Sequence, residues 1–187
     1  PIIRSLHGGL SANSIQRICG ILNGTCNYIL TQMSAHGQAY GDALAKAQEL
    51  GYAEADPAFD VGGQDTAHKL AILSSLAFGF EVDAEKIYCE GIDGLDADDI
   101  SYARELGYAI KLLGIAERMG DSVSLRVHPT MVPATSVLGN VNDAFNAVAV
   151  DGDAVGPTLF YGQGAGAAPT ASAVVSDLID AARVVAT

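Results

Sequence analysis

The side chains with the clearest chemical potential are those of Asp65 and Lys69, which are four residues apart. On a helix this spacing places both side chains on one face, within contact of each other. Lys69 is followed by Leu-Ala-Ile-Leu, so we expect it at the edge of a buried stretch. A lysine in such a setting, beside a carboxylate, can exchange a proton near neutral pH, whereas an exposed lysine stays charged. The alternative is a surface ion pair of small energetic value, and residue types alone favour this alternative.

Three further carboxylates, those of Glu54, Asp56 and Asp60, lie in the segment just before this helix. Several carboxylates beside one ammonium group suit a small ligand that carries its own positive charge, such as an amino acid. The alternative is that these loop carboxylates are simply solvated. His68 is next to Lys69 but points about 100° away around the helix, which favours a structural role for it.

Two glycine-containing turns precede predicted helices. The first, Asn23-Gly24-Thr25, would present free backbone N–H groups that can hold a carboxylate or a phosphate. Its alternative role is a simple helix cap by the asparagine or the threonine. The second turn contains Gly162, Gly164 and Gly166 but lacks the G-x-G-x-x-G spacing of dinucleotide-binding turns. The sequence contains neither that fingerprint nor a Walker motif.

Hydrophobic periodicity predicts the elements that must position these residues. In the first half we expect a loop over 51–63, a strand over 15–22, and helices over 26–34, 40–50 and 64–78. The helix over 64–78 is apolar nearly all round, so we expect it to be buried. In the second half we expect helices over 96–106 and 168–185, and strands over 86–90, 109–117, 122–132, 144–150 and 157–160. Helices followed by adjacent strands predict an α+β fold, with a mixed β-sheet covered by helices.

The composition is that of a globular protein with an acidic surface. Of the 187 residues, 49% are apolar and 17% are charged, and 22 Asp and Glu against 10 Lys and Arg give a formal charge of −12. This charge repels phosphate backbones and anionic lipids, so we expect neither a nucleic-acid nor a membrane partner. Cys19, Cys26 and Cys89 include no CxxC pair, so we expect free thiols in the cytoplasm and no metal site. The opening residues, from Pro1, are typical of the interior of a longer protein.

Three motifs combine these residues, and the second of them consists of two runs, 51–57 and 60–70. Residues 20–29 read Gly-Ile-Leu-Asn-Gly-Thr-Cys-Asn-Tyr-Ile, and residues 51–57 and 60–70 read Gly-Tyr-Ala-Glu-Ala-Asp-Pro and Asp-Val-Gly-Gly-Gln-Asp-Thr-Ala-His-Lys-Leu. Residues 161–175 read Tyr-Gly-Gln-Gly-Ala-Gly-Ala-Ala-Pro-Thr-Ala-Ser-Ala-Val-Val. In this order they resemble homoserine dehydrogenase: its signature turn and helix, its substrate loop and catalytic helix, and the segment that returns to its cofactor domain. The resemblance extends over essentially the whole chain.

The resemblance implies an oxidoreductase that interconverts L-homoserine and L-aspartate 4-semialdehyde on the route to threonine and methionine. It implies that Lys69 is the catalytic acid and base, and that Asp65 lies beside it and binds or orients the substrate hydroxyl. It also implies that Glu54 binds the substrate ammonium, in a pocket that includes Gly51, Tyr52 and Asp60.

The resemblance further implies NAD or NADP as the cofactor. Gly24 and Thr25 would lie near its nicotinamide end, and Gly164 or Gly166 would lie against it. Members of the family begin with a nucleotide-binding domain of the Rossmann type, which we expect upstream of Pro1. Residues 1–162 would then form the substrate-binding, catalytic and dimerisation domain, and residues 163–187 a C-terminal segment and helix that pack toward that absent domain. We expect no turnover without it, and we expect apolar residues of the last helix to be partly uncovered.

The resemblance also implies a homodimer through the sheet, and two other functions stay open at this stage. One is an NAD(P)-dependent enzyme that acts on a different semialdehyde or on a sugar. Glu54 argues against an anionic substrate, for which an arginine or lysine would be suited. The other is a dimerisation or binding module without catalysis, which predicts that replacing Lys69 leaves turnover unchanged.

Overall fold

Six strands form one sheet in the order β2-β4-β3-β1-β5-β6, and the computed structural model describes residues 1–185. The strands are β1 (Ile15–Ile21), β2 (Tyr88–Cys89), β3 (Tyr108–Met119), β4 (Ser122–Pro133), β5 (Phe145–Gly152) and β6 (Gly156–Gln163). β2 runs parallel to β4, and every other neighbouring pair is antiparallel. The sheet is therefore mixed, and this confirms the α+β fold expected from the sequence.

Seven α-helices accompany the sheet in residues 1–185. They are α1 (Ile2–Arg4), α2 (Gly24–His36), α3 (Tyr40–Glu49), α4 (Ala58–Val61), α5 (Gln64–Phe78), α6 (Ala97–Glu105) and α7 (Ala167–Val185). A π-helical turn (Ser5–Gly9) follows α1, and two 3₁₀ turns (Ala84–Lys86 and Leu138–Asn140) precede β2 and β5. The helix predicted over 64–78 has the bounds of α5.

Three local predictions were wrong. The loop expected over 51–63 contains the short helix α4. The strand expected over 86–90 is reduced to the two residues of β2, because Asp83 caps a 3₁₀ turn by accepting from the Glu85 N–H at 3.1 Å. The helix α5 is buried on one side only, since Ile72 and Leu76 are exposed.

The main core lies between one face of the sheet and the helices. Side chains of α2 and α5, such as Ile29 and Leu70, pack there against strand residues such as Ile18 and Leu112. The alternate residues of the same strands point to the opposite face and form a smaller apolar cluster, which includes Cys19, Ile21, Leu113, Ile115, Val132, Val141 and Ala147. The helices therefore cover one face of the sheet.

The two ends of the described chain meet through ion pairs. Arg4, on α1, contacts Asp177 at 2.8 Å and Asp180 at 2.7 Å on α7. No residue of α7 is buried among those described, and its exposed apolar side chains include Val174, Val175, Leu178 and Ile179. The uncovered apolar residues expected from the sequence are thus present on this helix.

The described residues 1–185 include no helix with the length and apolar character needed to cross a membrane. Cys19, Cys26 and Cys89 are free cysteines.

Candidate active site

A cavity of about 600 Å³ opens where β1 ends and α2 begins, beside the first turns of α5. Nine of the ten site residues suggested by the sequence line this cavity, namely Gly24, Thr25, Gly51, Tyr52, Asp60, Asp65, Lys69, Gly164 and Gly166. They come from five separate segments of the chain. The fold therefore brings together residues that the sequence linked only by their chemistry and by the family resemblance.

Glu54 is the exception, since it is outside the set of residues that line the cavity. Its side chain is exposed, and its backbone carbonyl accepts a hydrogen bond from Gln48 Nε2 at 3.0 Å. Its expected contact with a substrate ammonium stays a prediction.

Lys69 and Asp65 form a direct ion pair on the cavity wall. Lys69 Nζ lies 2.6 Å from Asp65 Oδ2 and donates a second hydrogen bond, at 3.2 Å, to the backbone carbonyl of Leu22. The Lys69 side chain is 49% exposed and that of Asp65 only 20%, so the lysine is more open to solvent than its sequence context predicts. These two acceptors fix the orientation of the amine. Among the described contacts, one N–H of the ammonium then stays available for a ligand.

Asn23 joins two carboxylates of the site. Its Nδ2 donates to Asp60 Oδ1 at 2.7 Å and to Asp65 Oδ2 at 2.8 Å, while its Oδ1 accepts from the Cys26 N–H at 2.8 Å. Asn23 is therefore the N-cap of α2, and it is only 5% exposed. Sequence reasoning identified Asn23 only as a possible cap. Its second role, fixing Asp60 and Asp65, was missed because both contacts depend on the tertiary fold.

Thr25 connects α2 to the turn after α3. Its Oγ1 donates to the backbone carbonyl of Tyr52 at 2.6 Å, and the ring of Tyr52 lies 4.9 Å from that of Tyr28. Gly51 has a φ of 76°, which favours glycine and allows the chain to turn at the end of α3. These contacts hold Gly51 and Tyr52 at the rim of the cavity.

Two glycines of the cavity allow close approach between segments. A Cβ at Gly24 would lie 2.8 Å from the carbonyl oxygen of Ala144, and a Cβ at Gly164 would lie 2.5 Å from Asn146 Oδ1. Asn146 Nδ2 also donates to the carbonyl of Ile21, at 3.2 Å. This part of the wall therefore consists of backbone, Ala144 and one amide side chain. Neither Ala144 nor Asn146 was identified from the sequence, since neither belongs to a recognisable motif.

The rest of the wall is mostly apolar. It is formed by Ile2 and Ile3 on α1, Leu50 after α3, Ile72 and Leu73 on α5, and Val148 on β5. A polar cluster beside an apolar surface is typical of sites for small organic ligands.

Cys26 lies directly behind the carboxylates but is unsuited to nucleophilic chemistry. It is fully buried, and its Sγ donates to the backbone carbonyl of Asp60 at 3.2 Å. Burial raises the pKa of the Cys26 thiol, and the charges of Asp60 and Asp65 raise it further. The thiol therefore stays protonated.

The homoserine dehydrogenase family model matches residues 1–179 of this sequence. The chain belongs to the homoserine dehydrogenase family. It is 56% identical to the homoserine dehydrogenase of Neisseria gonorrhoeae over 99% of its own length and 42% of that protein. The structure of a homoserine dehydrogenase from Thiobacillus denitrificans is 58% identical and superposes with a TM-score of 0.94, over 96% of this chain and 42% of that one.

A more distant homoserine dehydrogenase structure contains a nucleotide. It is a hyperthermophilic archaeal mutant in complex with NADPH, 29% identical, with a TM-score of 0.81 over 97% of this chain and 52% of that one. The family assignment expected from the three sequence motifs is confirmed. The chain spans 42% of the length of the first curated relative, so it corresponds to less than half of that homoserine dehydrogenase.

Proposed function

We propose that the protein catalyses the NAD- or NADP-dependent interconversion of L-homoserine and L-aspartate 4-semialdehyde, a step of amino-acid biosynthesis that supplies threonine and methionine. The family membership supports this proposal. The observation that carries it is the amine of Lys69, held by Asp65 and the Leu22 carbonyl on the wall of a cavity of small-molecule size.

In this proposal Lys69 moves the proton of the reaction. In the direction of reduction its ammonium donates a proton to the aldehyde oxygen, and in oxidation its neutral amine accepts the hydroxyl proton. Asp65 keeps Lys69 oriented through the 2.6 Å contact and binds or orients the substrate hydroxyl. A nicotinamide cofactor, held at Gly24, Thr25, Gly164 and Gly166, would supply the hydride chemistry at the carbon that bears this oxygen.

The substrate ammonium would bind on the acidic side of the cavity. Asp60 and Asp65 are fixed there by Asn23 at 2.7 and 2.8 Å, so they are preorganised for a positive group. Glu54, in the neighbouring loop, would complete the ammonium site, with Gly51 and Tyr52 at its rim.

The glycine-lined wall fits the flat end of a nicotinamide cofactor. A Cβ at Gly24 or Gly164 would collide with Ala144 or Asn146, so the segments of this wall pack closely and line the cavity with little side-chain bulk, against which a planar ring could lie. We therefore assign Gly24, Thr25, Gly164 and Gly166 to cofactor binding. NADPH bound to the archaeal relative supports a nicotinamide cofactor for this family.

The proposal also assigns a role to each part of the chain and a second copy of the protein as its partner. Residues 1–162 would bind substrate and form a homodimer, and residues 163–187 would pack toward a nucleotide-binding domain. A second cavity, of about 580 Å³, on the sheet face away from the helices supports the homodimer, because exposed apolar side chains such as Met131, Val137 and Leu159 line it. Three free cysteines suit the reducing cytoplasm.

Steady-state kinetics of Lys69→Ala in the intact protein test the proposed function. The variant should lose about 10²- to 10⁴-fold in kcat for homoserine oxidation, the usual contribution of a positioned acid or base. Lys46→Ala is the matched control, since Lys46 forms an exposed helical ion pair with Glu49 at 2.7 Å away from the cavity. Turnover of Lys69→Ala close to that of Lys46→Ala would instead support a binding module without catalysis.

A further inference from the structure

Lys111 is a buried lysine that the proposed proton transfer does not use. The chain has four lysines, and Lys46, Lys69 and Lys86 have substantially exposed side chains. Lys111 lies on β3 and is only 3% exposed. Lysine is almost never fully buried unless its ammonium is well bonded, so its surroundings have to account for its position.

Lys111 lies where β3 extends beyond the end of β1. β1 and β3 are antiparallel with Gly20 opposite Gly114, so Lys111 is level with position 23, where β1 has already ended. There its Nζ donates to Asn27 Oδ1 at 3.2 Å, to Asn142 Oδ1 at 3.4 Å and to the backbone carbonyl of Val141. Three acceptors thus match the three N–H groups of one ammonium. Two of them belong to the segment just before β5.

The same segment is held from α2. Asn27 Nδ2 donates to the carbonyls of Val141, Asp143 and Phe145 at 3.1, 2.9 and 3.2 Å. Thr31 Oγ1 accepts from the Asp143 N–H at 3.0 Å. Asp143 has a φ of 56°, an uncommon backbone conformation for a residue other than glycine. Residues 141–145 are therefore held in one conformation by Lys111 and α2 together.

The outer end of this segment forms the glycine-lined wall of the cavity. The carbonyl of Ala144 lies against Gly24. Asn146 donates to the Ile21 carbonyl, and its Oδ1 lies 2.5 Å from where a Cβ at Gly164 would be. A shift of residues 141–146 would therefore change the distance between Gly24 and Gly164, with no direct effect on Asp65 or Lys69.

We propose that Lys111 is a positioning residue for the cofactor end of the site, acting through residues 141–146 on Gly24 and Gly164. This inference rests on the proposed function, because it assigns those glycines to a nicotinamide cofactor. Burial lowers the pKa of Lys111 to about 8, and the carboxylate of Asp143 acts in the opposite direction. Below that pH the side chain is an ammonium with all three donors in use.

The test is Lys111→Met in the intact protein, with Lys86→Met as the control for loss of an exposed lysine. Titration of NADPH and NADH fluorescence should give a Kd about tenfold higher for Lys111→Met, since a small misplacement of a binding wall has effects of this size or larger. The KM for homoserine should change less than about twofold. In the protein without ligands, backbone amides of residues 142–146 should exchange hydrogen about tenfold faster.

The result that would overturn the proposal is a folded Lys111→Met variant with unchanged cofactor affinity and unchanged exchange. Equal rises in the cofactor Kd and in the homoserine KM would overturn it as well, because they would indicate a general structural role. If Lys111→Met does not fold, the test uses Asn142→Ala, since Asn142 is exposed and its side chain is one of the three acceptors of Lys111. Loss of this hydrogen bond should raise the cofactor Kd about threefold. An unchanged Kd would refute the proposal. If the wild-type protein binds neither nucleotide and does not oxidise homoserine, the proposed function fails. Hydrogen exchange in the variants then still shows whether Lys111 holds the segment.

Discussion

At the scale of single residues, the acidic side of the cavity depends on a neutral amide between two carboxylates. Asp60 and Asp65 would repel each other, but Asn23 donates one hydrogen bond to each, at 2.7 and 2.8 Å. Asp65 can therefore hold Lys69 while Asp60 faces the cavity. In the proposed function, the remaining negative charge would bind the ammonium of the substrate.

Glu54→Gln tests whether a third carboxylate takes part in binding this ammonium. The substitution keeps the shape of the side chain and removes its charge. It should raise the KM for homoserine about tenfold, because the binding free energy of one charge-assisted hydrogen bond is lost, and it should lower kcat by a smaller factor. The measurement is steady-state kinetics of Glu54→Gln, and the control is Glu105→Gln, which replaces an exposed glutamate on α6. An unchanged KM would place the ammonium on Asp60 and Asp65 alone.

Contacts between site residues could be predicted from the sequence only where the two residues are close together in the chain. Asp65 and Lys69 are four residues apart on one helix, so helical spacing was sufficient to predict their pairing. Asn23 contacts carboxylates 37 and 42 residues away, and Lys111 contacts Asn27 across 84 residues. No local pattern encodes such contacts, because they depend on where β1 ends relative to its neighbours.

At the scale of elements, long and strongly periodic segments were predicted well and short ones were not. The bounds of α5 matched the prediction, and α6 is preceded by its N-cap Asp96, whose side chain forms a capping box with Asp99. By contrast, α1 has three residues, too few for a periodic pattern, and its Arg4 bonds to α7, more than 170 residues later. The apolar cavity wall that α1 provides was therefore missed.

A pair of glycine substitutions tests how closely α2 must approach β5. Gly24 and Gly41 both lie in the first turn of a helix, but a Cβ at Gly24 would lie 2.8 Å from the Ala144 carbonyl, whereas a Cβ at Gly41 meets nothing within 4 Å. Gly24→Ala should lower the free energy of unfolding by about 1–3 kcal/mol. Gly41→Ala should raise it by about 0.4–1 kcal/mol, because alanine restricts the unfolded chain. Equilibrium urea unfolding measures both changes, and equal effects of the two substitutions would contradict the close contact at Gly24.

At the scale of the whole molecule, the two faces of the sheet have different surroundings. Helices cover the face that carries the main core, and the opposite face carries a smaller apolar cluster beside the second cavity. Met131 and Leu159, which line that cavity, are 46% and 41% exposed. In the proposed homodimer a second copy would cover this face, since twofold symmetry pairs the same surface on both subunits.

Leu159→Lys tests this arrangement in the intact protein. If the sheet face forms the dimer, the new ammonium is buried without a partner in an apolar interface, and the dimer dissociation constant should rise about a hundredfold or more. Sedimentation velocity should then show a dimer for the wild type and mainly monomer for the variant at micromolar concentration. Leu106→Lys is the matched control, because Leu106 is 69% exposed at the end of α6 and outside the second cavity. A wild-type monomer, or a Leu159→Lys variant that remains as dimeric as the control, would rule out the homodimer through this face.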